Sequence, residues 1–119
     1  MRMIDELEKL GVNASEGMDR VMGDASLYEM MLGMFIDAVR DNPVNAEDFS
    51  AGDLDGLIKR VHMLKGVTGN LSMTPLFKGY TETLTLLRAG QPAEAKEKFE
   101  ELLPVQAKIM DCIEQCRGA

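Results

Sequence analysis

Apolar residues recur at three- and four-residue spacing along most of the chain, a pattern that predicts amphipathic helices with one buried face. Capping and turn residues divide this pattern into long segments. Asp24 or Ser26 can cap the first segment, Thr74-Pro75 can open the third, and Ala89-Gly90 can end it. The sequence therefore predicts four long helices, at about residues 26–41, 53–71, 74–89 and 92–116.

Two shorter helical segments precede these four, at residues 4–10 and 15–22, and we expect them to cap one end of the molecule. No stretch has the period-two alternation of a strand. The connection between the second and third long helices is short, which favours antiparallel neighbours. We therefore predict an all-α, antiparallel four-helix bundle with one or two short N-terminal helices. Pro104 is expected to kink or break the fourth long helix.

Length and charge narrow the class of protein. A chain of 119 residues is most simply one domain, spanning residues 1–119. The formal net charge of −7 argues against a nucleic-acid partner, which would need clustered Lys and Arg. No apolar run approaches the roughly 20 residues that cross a bilayer, and the acidic start does not resemble a signal peptide. We expect a cytoplasmic, free-standing protein that does not bind membranes.

Metal binding is not expected. Cys112 and Cys116 lie four residues apart in one predicted helix, where a disulfide has poor geometry and a metal would need two more ligands. We expect reduced, partly buried thiols. His62 has no second histidine to share a metal with.

His62 is the only histidine, and it falls in the second long helix. At 100° per residue, the apolar stripe of that helix is centred near Val61 and Thr68, which places His62 roughly 120° away. The imidazole is therefore expected to face solvent.

Two glycines follow His62 within the same helix, at a cost of roughly 2 kcal/mol of helix propensity relative to alanine. A helical side chain at position i+4 leans back over residue i, so Gly66 leaves open space beside His62 and Gly69 extends it. Lys65, three residues after His62, can bring an ammonium group to the same region. A nucleophilic imidazole, a cation and a cleared surface favour a site that accepts a phosphoryl group.

A simpler explanation of the glycines is an early end of the helix. Gly69-Asn70 would serve as a C-terminal cap. This explanation suits Gly69 better than Gly66.

One segment also carries a family signature. It reads His62-Met63-Leu64-Lys65-Gly66, then Gly69-Asn70-Leu71, and it resembles the H-x-L-K-G-x-x-G-N-[LI]-G motif of histidine-containing phosphotransfer (HPt) domains of bacterial phosphorelays. The resemblance covers most of the chain, from Gly11 to Gly90. It implies a four-helix bundle that accepts a phosphoryl group from a receiver-domain aspartyl phosphate, or from a sensor kinase, and passes it to another receiver domain.

The resemblance also implies a role for individual residues. His62 would carry the phosphoryl group, Lys65 would stabilise its charge, and Gly66 would admit the receiver domain. Residues expected to contact the partner are Lys59, Gly69, Asn70 and Lys78, with Arg60 and Arg88 adding positive potential.

The expected partners are response-regulator receiver domains and a hybrid sensor histidine kinase. We expect the chain itself to be a monomer. The chain would need no cofactor of its own, because the receiver supplies Mg²⁺. We expect no kinase or ATPase activity, since the sequence has no Walker-type loop and no glycine cluster of an ATP lid.

Two positions depart from the family pattern. Ser72 stands where glycine is usual, which we expect to affect only how the second long helix ends. Leu84 stands where a glutamate is common, which we expect to remove an acidic surface group and so to change partner preference.

Two other functions compete with the carrier. A phosphorylation-independent helical docking module for receiver or kinase domains would keep the fold and bind without transfer. A small all-helical enzyme would need several buried charged groups that converge on an internal pocket, and Arg20, Arg40, Arg60 and Arg88 show no clustering in the sequence.

Overall fold

Helices joined by short turns make up almost all of residues 2–50 and 52–117, the parts of the chain that the computed structural model describes. No strand occurs in these residues, so the predicted all-α class is confirmed for the described chain. The α-helices are α1 (Arg2–Lys9), α2 (Ala14–Arg20), α3 (Ala25–Asp41), α4 (Leu54–Asn70), α5 (Thr74–Arg88) and α6 (Pro92–Arg117), and a 3₁₀ helix (Ala46–Phe49) lies between α3 and α4.

The four long helices, α3 to α6, begin and end within one residue of the predicted ranges. Capping explains the agreement, because the carboxylates of Asp24 and Asp53 each accept a hydrogen bond from the backbone N–H three residues on. Pro75 lies in the first turn of α5, and Gly90 follows that helix with a φ of 75°.

Pro104 in α6 differs from expectation, and the 3₁₀ helix was not predicted. Pro104 does not break α6, which is helical from Pro92 to Arg117. The backbone bond that proline cannot make would end on the carbonyl of Glu100; both residues are exposed, so water can bond that carbonyl instead. The 3₁₀ helix carries no apolar periodicity that would have predicted it, yet its Phe49 is buried against Phe99 with ring centroids 5.4 Å apart.

The helix α6 is the longest helix in the described residues and contacts most of the other elements. Its 26 residues span roughly 39 Å at 1.5 Å per residue, close to the longest dimension of 43 Å. It packs most extensively against α5 and also contacts α1, α3 and the 3₁₀ helix, while α4 packs chiefly against α5. None of the described helices is both long and apolar enough to cross a membrane.

One apolar core draws side chains from all these elements. The polar residues buried with it are uncharged: Thr68, Ser72, Thr83 and Gln106. In the described residues, no buried side-chain nitrogen or oxygen lacks a hydrogen-bond partner. The hydroxyl of Tyr80 donates to the amide oxygen of Gln106, which joins α5 to α6 through the core.

The N-terminal segment contacts the turn between α4 and α5. Tyr28, in α3, donates its hydroxyl proton to the carbonyl of Leu71 at 2.9 Å, and the Asn13 N–H donates to the carbonyl of Ser72 at 2.8 Å. The Tyr28 ring lies over Gly17, where a Cβ would come within 2.5 Å of it. These contacts bring α1, α2 and the start of α3 to the end of the molecule where α4 stops.

We predict that Tyr28→Phe lowers the free energy of unfolding by about 1–3 kcal/mol, because the buried Leu71 carbonyl loses its partner. Urea unfolding followed by circular dichroism measures the change. Thr85→Val is the control, since it removes an exposed hydroxyl bonded within α5, and it should change stability by less than about 0.5 kcal/mol. A Tyr28→Phe protein as stable as the control would contradict the importance of this bond.

Candidate functional site

The rotation of α4 about its axis is fixed by its buried face. Val61 and Thr68, the predicted centre of the apolar stripe, are both 0% exposed, together with the buried Leu57 and Leu64. His62 lies outside that face and is exposed. The imidazole therefore stands on the surface of the molecule, as the helical wheel predicts.

Open space lies beside Gly66. The residue is exposed, and a Cβ built on it would meet no heavy atom within 4 Å apart from its own helix backbone and chain neighbours. The helix continues through this position to Asn70. An early helix end at Gly66 is therefore wrong, and no packing contact within the described chain explains this glycine.

Gly69 has a different environment from Gly66. A Cβ on Gly69 would lie 2.9 Å from two ring carbons of Phe77 in α5, closer than real side chains pack. The glycine thus lets the Phe77 ring approach the last turn of α4. Sequence reasoning assigned Gly69 to partner access or to the helix end and missed this contact, because periodicity within α4 carries no information about Phe77.

Three lysines predicted to lie near His62 belong to α4 and α5. Lys65 is half-buried one turn after His62, whereas Lys59 in α4 and Lys78 in α5 are exposed. Within the described residues, none of the three forms an ion pair with an acidic side chain, so all three ammonium groups are available to an outside anion. Asn70 is exposed at the last position of α4.

Arg60 does not add to this set of available cations. Its guanidinium donates a hydrogen bond to the Pro43 carbonyl at 2.7 Å and lies 3.7 Å from the Asp48 carboxylate. The side chain is therefore used to hold the segment between α3 and α4 against α4. Arg88 is exposed at the end of α5.

Charge is distributed unevenly along the chain. Residues 54–88, which contain α4 and α5, carry five Lys or Arg and two Asp or Glu. The rest of the chain carries eight Lys or Arg and eighteen Asp or Glu. The helix that bears His62 and its neighbour α5 are thus positive in an otherwise acidic protein. Such a difference favours the approach of negatively charged groups to this side of the molecule.

A depression of about 350 Å³ adjoins the open space at Gly66. Its walls come from α2, from the end of α4 and from the start of α5. The lining residues are Glu16, Arg20, Gly66, Gly69, Asn70, Ser72, Thr74 and Phe77. Sequence reasoning missed Glu16 and Arg20, since no signal in the sequence connects α2 to the end of α4.

Glu16 is the polar centre of the α2 wall. Its carboxylate accepts a hydrogen bond from the Ser72 hydroxyl at 2.8 Å and one from Arg20 at 3.3 Å. The Ser72 bond, and secondly the Arg20 bond, hold the pKa of Glu16 below its usual range. Because the pKa of Glu16 is lower in the folded protein, these two hydrogen bonds stabilise the fold at pH values above the usual pKa of the carboxyl group. Their contribution is lost as the pH falls through the pKa that Glu16 has in the folded protein.

Ser72 follows the C-terminal cap of α4 with a φ of 56°, a conformation that glycine adopts without strain. The serine does more here than end the helix, because its hydroxyl binds Glu16 of α2. The expectation that Ser72 affects only the helix end is therefore wrong.

Leu84 also needs a correction. It is 2% exposed and belongs to the core, with its neighbours in α5 Tyr80 and Leu87. A residue at this position does not change the surface charge, so the predicted loss of an acidic surface group is wrong. Matching a single position to a family pattern cannot report which face of the helix that position occupies.

The cysteines lie apart from this site. Cys112 and Cys116 form no disulfide, and burial raises the pKa of the Cys112 thiol, with the neighbouring Cys116 adding to the effect. In the part of the chain that the structure describes, no three His, Cys, Asp or Glu residues come together as metal ligands.

Comparisons of the chain with protein-family models, with curated proteins and with solved structures found no match.

Proposed function

We propose that the chain is a phosphorelay carrier of the HPt type. His62 accepts a phosphoryl group from the aspartyl phosphate of a receiver domain, or from a sensor kinase, and passes it to another receiver domain. The observation that carries the proposal is the exposed imidazole next to open helix surface at Gly66. A glycine that no internal contact requires is the expected feature where a large partner must come close to the imidazole.

The chemistry asks little of the chain itself. An imidazole nitrogen of His62 attacks the phosphorus, the P–O bond of the acyl phosphate breaks, and its electron pair leaves with the aspartate carboxylate. The reverse reaction loads the next receiver. Lys65 is one turn away and can neutralise charge on the equatorial oxygens, the main requirement of phosphoryl transfer. The receiver brings the aspartate and Mg²⁺, so the carrier needs neither a cofactor nor kinase activity of its own.

The proposed architecture is an antiparallel bundle of α3 to α6 in one domain. Tyr28 near the start of α3 bonds the end of α4, and Arg60 near the start of α4 bonds Pro43 just after α3, as antiparallel neighbours would. In α5 and α6, Gly79 lies against Leu102 and Glu82 lies 3.8 Å from Lys98, so residue numbers rise along one helix as they fall along the other.

Exposed apolar residues on α3 support contact with a protein partner. Met30 and Met34 are 58% and 59% exposed, and Leu27 lies on the same helix face by its spacing. The helix α3 packs on α4, which bears His62. Flexible methionines suit a surface that binds more than one receiver. We propose that a cytoplasmic monomer docks receiver domains, and a hybrid sensor kinase, over this side of the molecule.

The first prediction of the proposed function concerns His62. Incubation with phosphorylated receiver domains of the source organism should place an acid-labile phosphate on the wild-type chain, and His62→Gln should abolish it because glutamine has no nucleophilic ring nitrogen. Radiolabelled transfer followed on gels measures the label, with circular dichroism as the check on folding. Undiminished labelling of His62→Gln would refute the assignment. Receiver binding without any labelling of the wild type would instead support the docking module.

The second prediction concerns Gly66 and separates stability from function. Gly66→Ala should raise the free energy of unfolding by about 0.5–1 kcal/mol, because alanine is the better helix former and the space is empty. Gly66→Leu should leave the fold intact but slow transfer from a receiver by at least roughly tenfold, since a bulky side chain beside His62 obstructs the close approach that transfer requires.

Ala107→Leu, at an exposed position of α6, is the matched control for the added side chain. It should transfer at the wild-type rate. If Gly66→Leu transfers as fast as this control, the open space at Gly66 is not used by the partner.

A further inference from the structure

The α2 wall of the depression holds a cation that the proposed chemistry does not use. Arg20 lines the depression together with Gly66, Gly69 and Asn70, and its side chain is 51% exposed. Among the described residues, it donates one hydrogen bond, to Glu16, of the five that a guanidinium can give. The remaining donors are available to a group that enters the depression.

We propose that Arg20 is a partner-contacting residue: when a receiver domain docks over His62, Arg20 binds a carboxylate side chain of the receiver that enters the depression. The inference rests on the proposed function and adds a residue of α2 to the docking surface. A receiver close enough to reach His62 over Gly66 also covers the mouth of the depression, since Gly66 belongs to both.

The exchange of partners by Arg20 is energetically easy. Its ion pair with Glu16 is exposed on both sides, at 51% and 52%, and such pairs contribute little to stability. Glu16 keeps the hydrogen bond from Ser72 when Arg20 leaves, so its carboxylate does not lose all its partners. The fold therefore does not depend on the Arg20–Glu16 contact.

An acidic side chain is the occupant that fits the surroundings. Gly66 leaves room for a partner group to come close to the helix backbone, and the Phe77 ring, which packs against Gly69, offers an apolar wall for the methylene groups of the side chain. The α4 and α5 walls belong to the positively balanced segment 54–88, whereas α2 contributes Glu16 as well as Arg20, so the partner carboxylate takes the place of Glu16 at the Arg20 guanidinium. A carboxylate also matches the planar fork of arginine better than any neutral side chain.

The test measures the rate of phosphoryl transfer from His62 to a receiver that accepts it, across receiver concentrations. Arg20→Ala should raise the receiver concentration for half-maximal rate by roughly three- to tenfold, with the maximal rate changed less than twofold, as expected for a contact at the edge of an interface. Arg20→Lys should recover part of the loss.

Arg40→Ala is the matched control. Arg40 is an exposed arginine in a single ion pair, with Glu114 at 2.7 Å, and it does not line the depression. It should behave as the wild type. Glu16→Gln provides a second comparison: it should lower the half-maximal receiver concentration, because Arg20 no longer has to leave a carboxylate.

Three results would overturn the inference. Arg20→Ala could match Arg40→Ala, it could lower the maximal rate without changing the half-maximal concentration, or Glu16→Gln could impair docking as strongly as Arg20→Ala. The first result would show that Arg20 makes no contact with the receiver. The second would show that Arg20 acts in the chemical step, and the third would show that the Arg20–Glu16 ion pair has a structural role.

Phosphoramidate labelling of the wild type separates this inference from the proposed function. The reagent transfers its phosphoryl group to imidazole with loss of ammonia and requires no partner surface. If the wild-type chain takes no label on His62 from phosphoramidate or from any receiver, the proposed function fails. If His62 is labelled and loads a receiver while Arg20→Ala behaves as Arg40→Ala, only the role of Arg20 fails.

Discussion

The hydrogen bonds to the turn between α4 and α5 are the constraint on which the rest of the structure depends. This turn passes through a left-handed residue, Ser72. The carbonyl of Leu71 accepts a hydrogen bond from the Tyr28 hydroxyl, and the carbonyl of Ser72 accepts one from the Asn13 N–H. Because helix ends leave carbonyls without internal partners, such bonds decide where a helix can stop inside a protein. They fix the end of α4, and the buried face of α4 fixes its rotation. The position of His62 on the surface follows from both.

Three glycines near this turn meet three different physical demands. Gly17 makes room for the ring of Tyr28, and Gly69 makes room for the ring of Phe77. In both places the lost helix propensity is offset by the packing of an aromatic side chain. Gly66 has no such neighbour. The same residue type, at similar cost, is thus structural at two positions and unexplained by structure at the third.

The sequence predicted what is encoded locally and missed what depends on contacts between distant segments. Helix boundaries follow from caps and turns a few residues away, and the exposure of His62 follows from periodicity within one helix. The Phe77 ring over Gly69 and the place of Arg20 beside the end of α4 depend on how helices pack, which no local pattern encodes. The expectation for Leu84 was wrong for a related reason, since a family motif does not encode which helix face a position occupies.

The free-energy balance at Gly66 is the strongest link between the fold and the proposed function. Alanine there would stabilise the helix by about 1 kcal/mol and would meet no obstacle, since the space around a Cβ is empty. Stabilising substitutions of this kind are usually compatible with the fold, and no contact within the described chain requires the glycine. Under the proposed function the open space serves the partner. Its position one turn after His62 and beside Lys65 is where a phosphoryl group held by another protein would have to approach the imidazole.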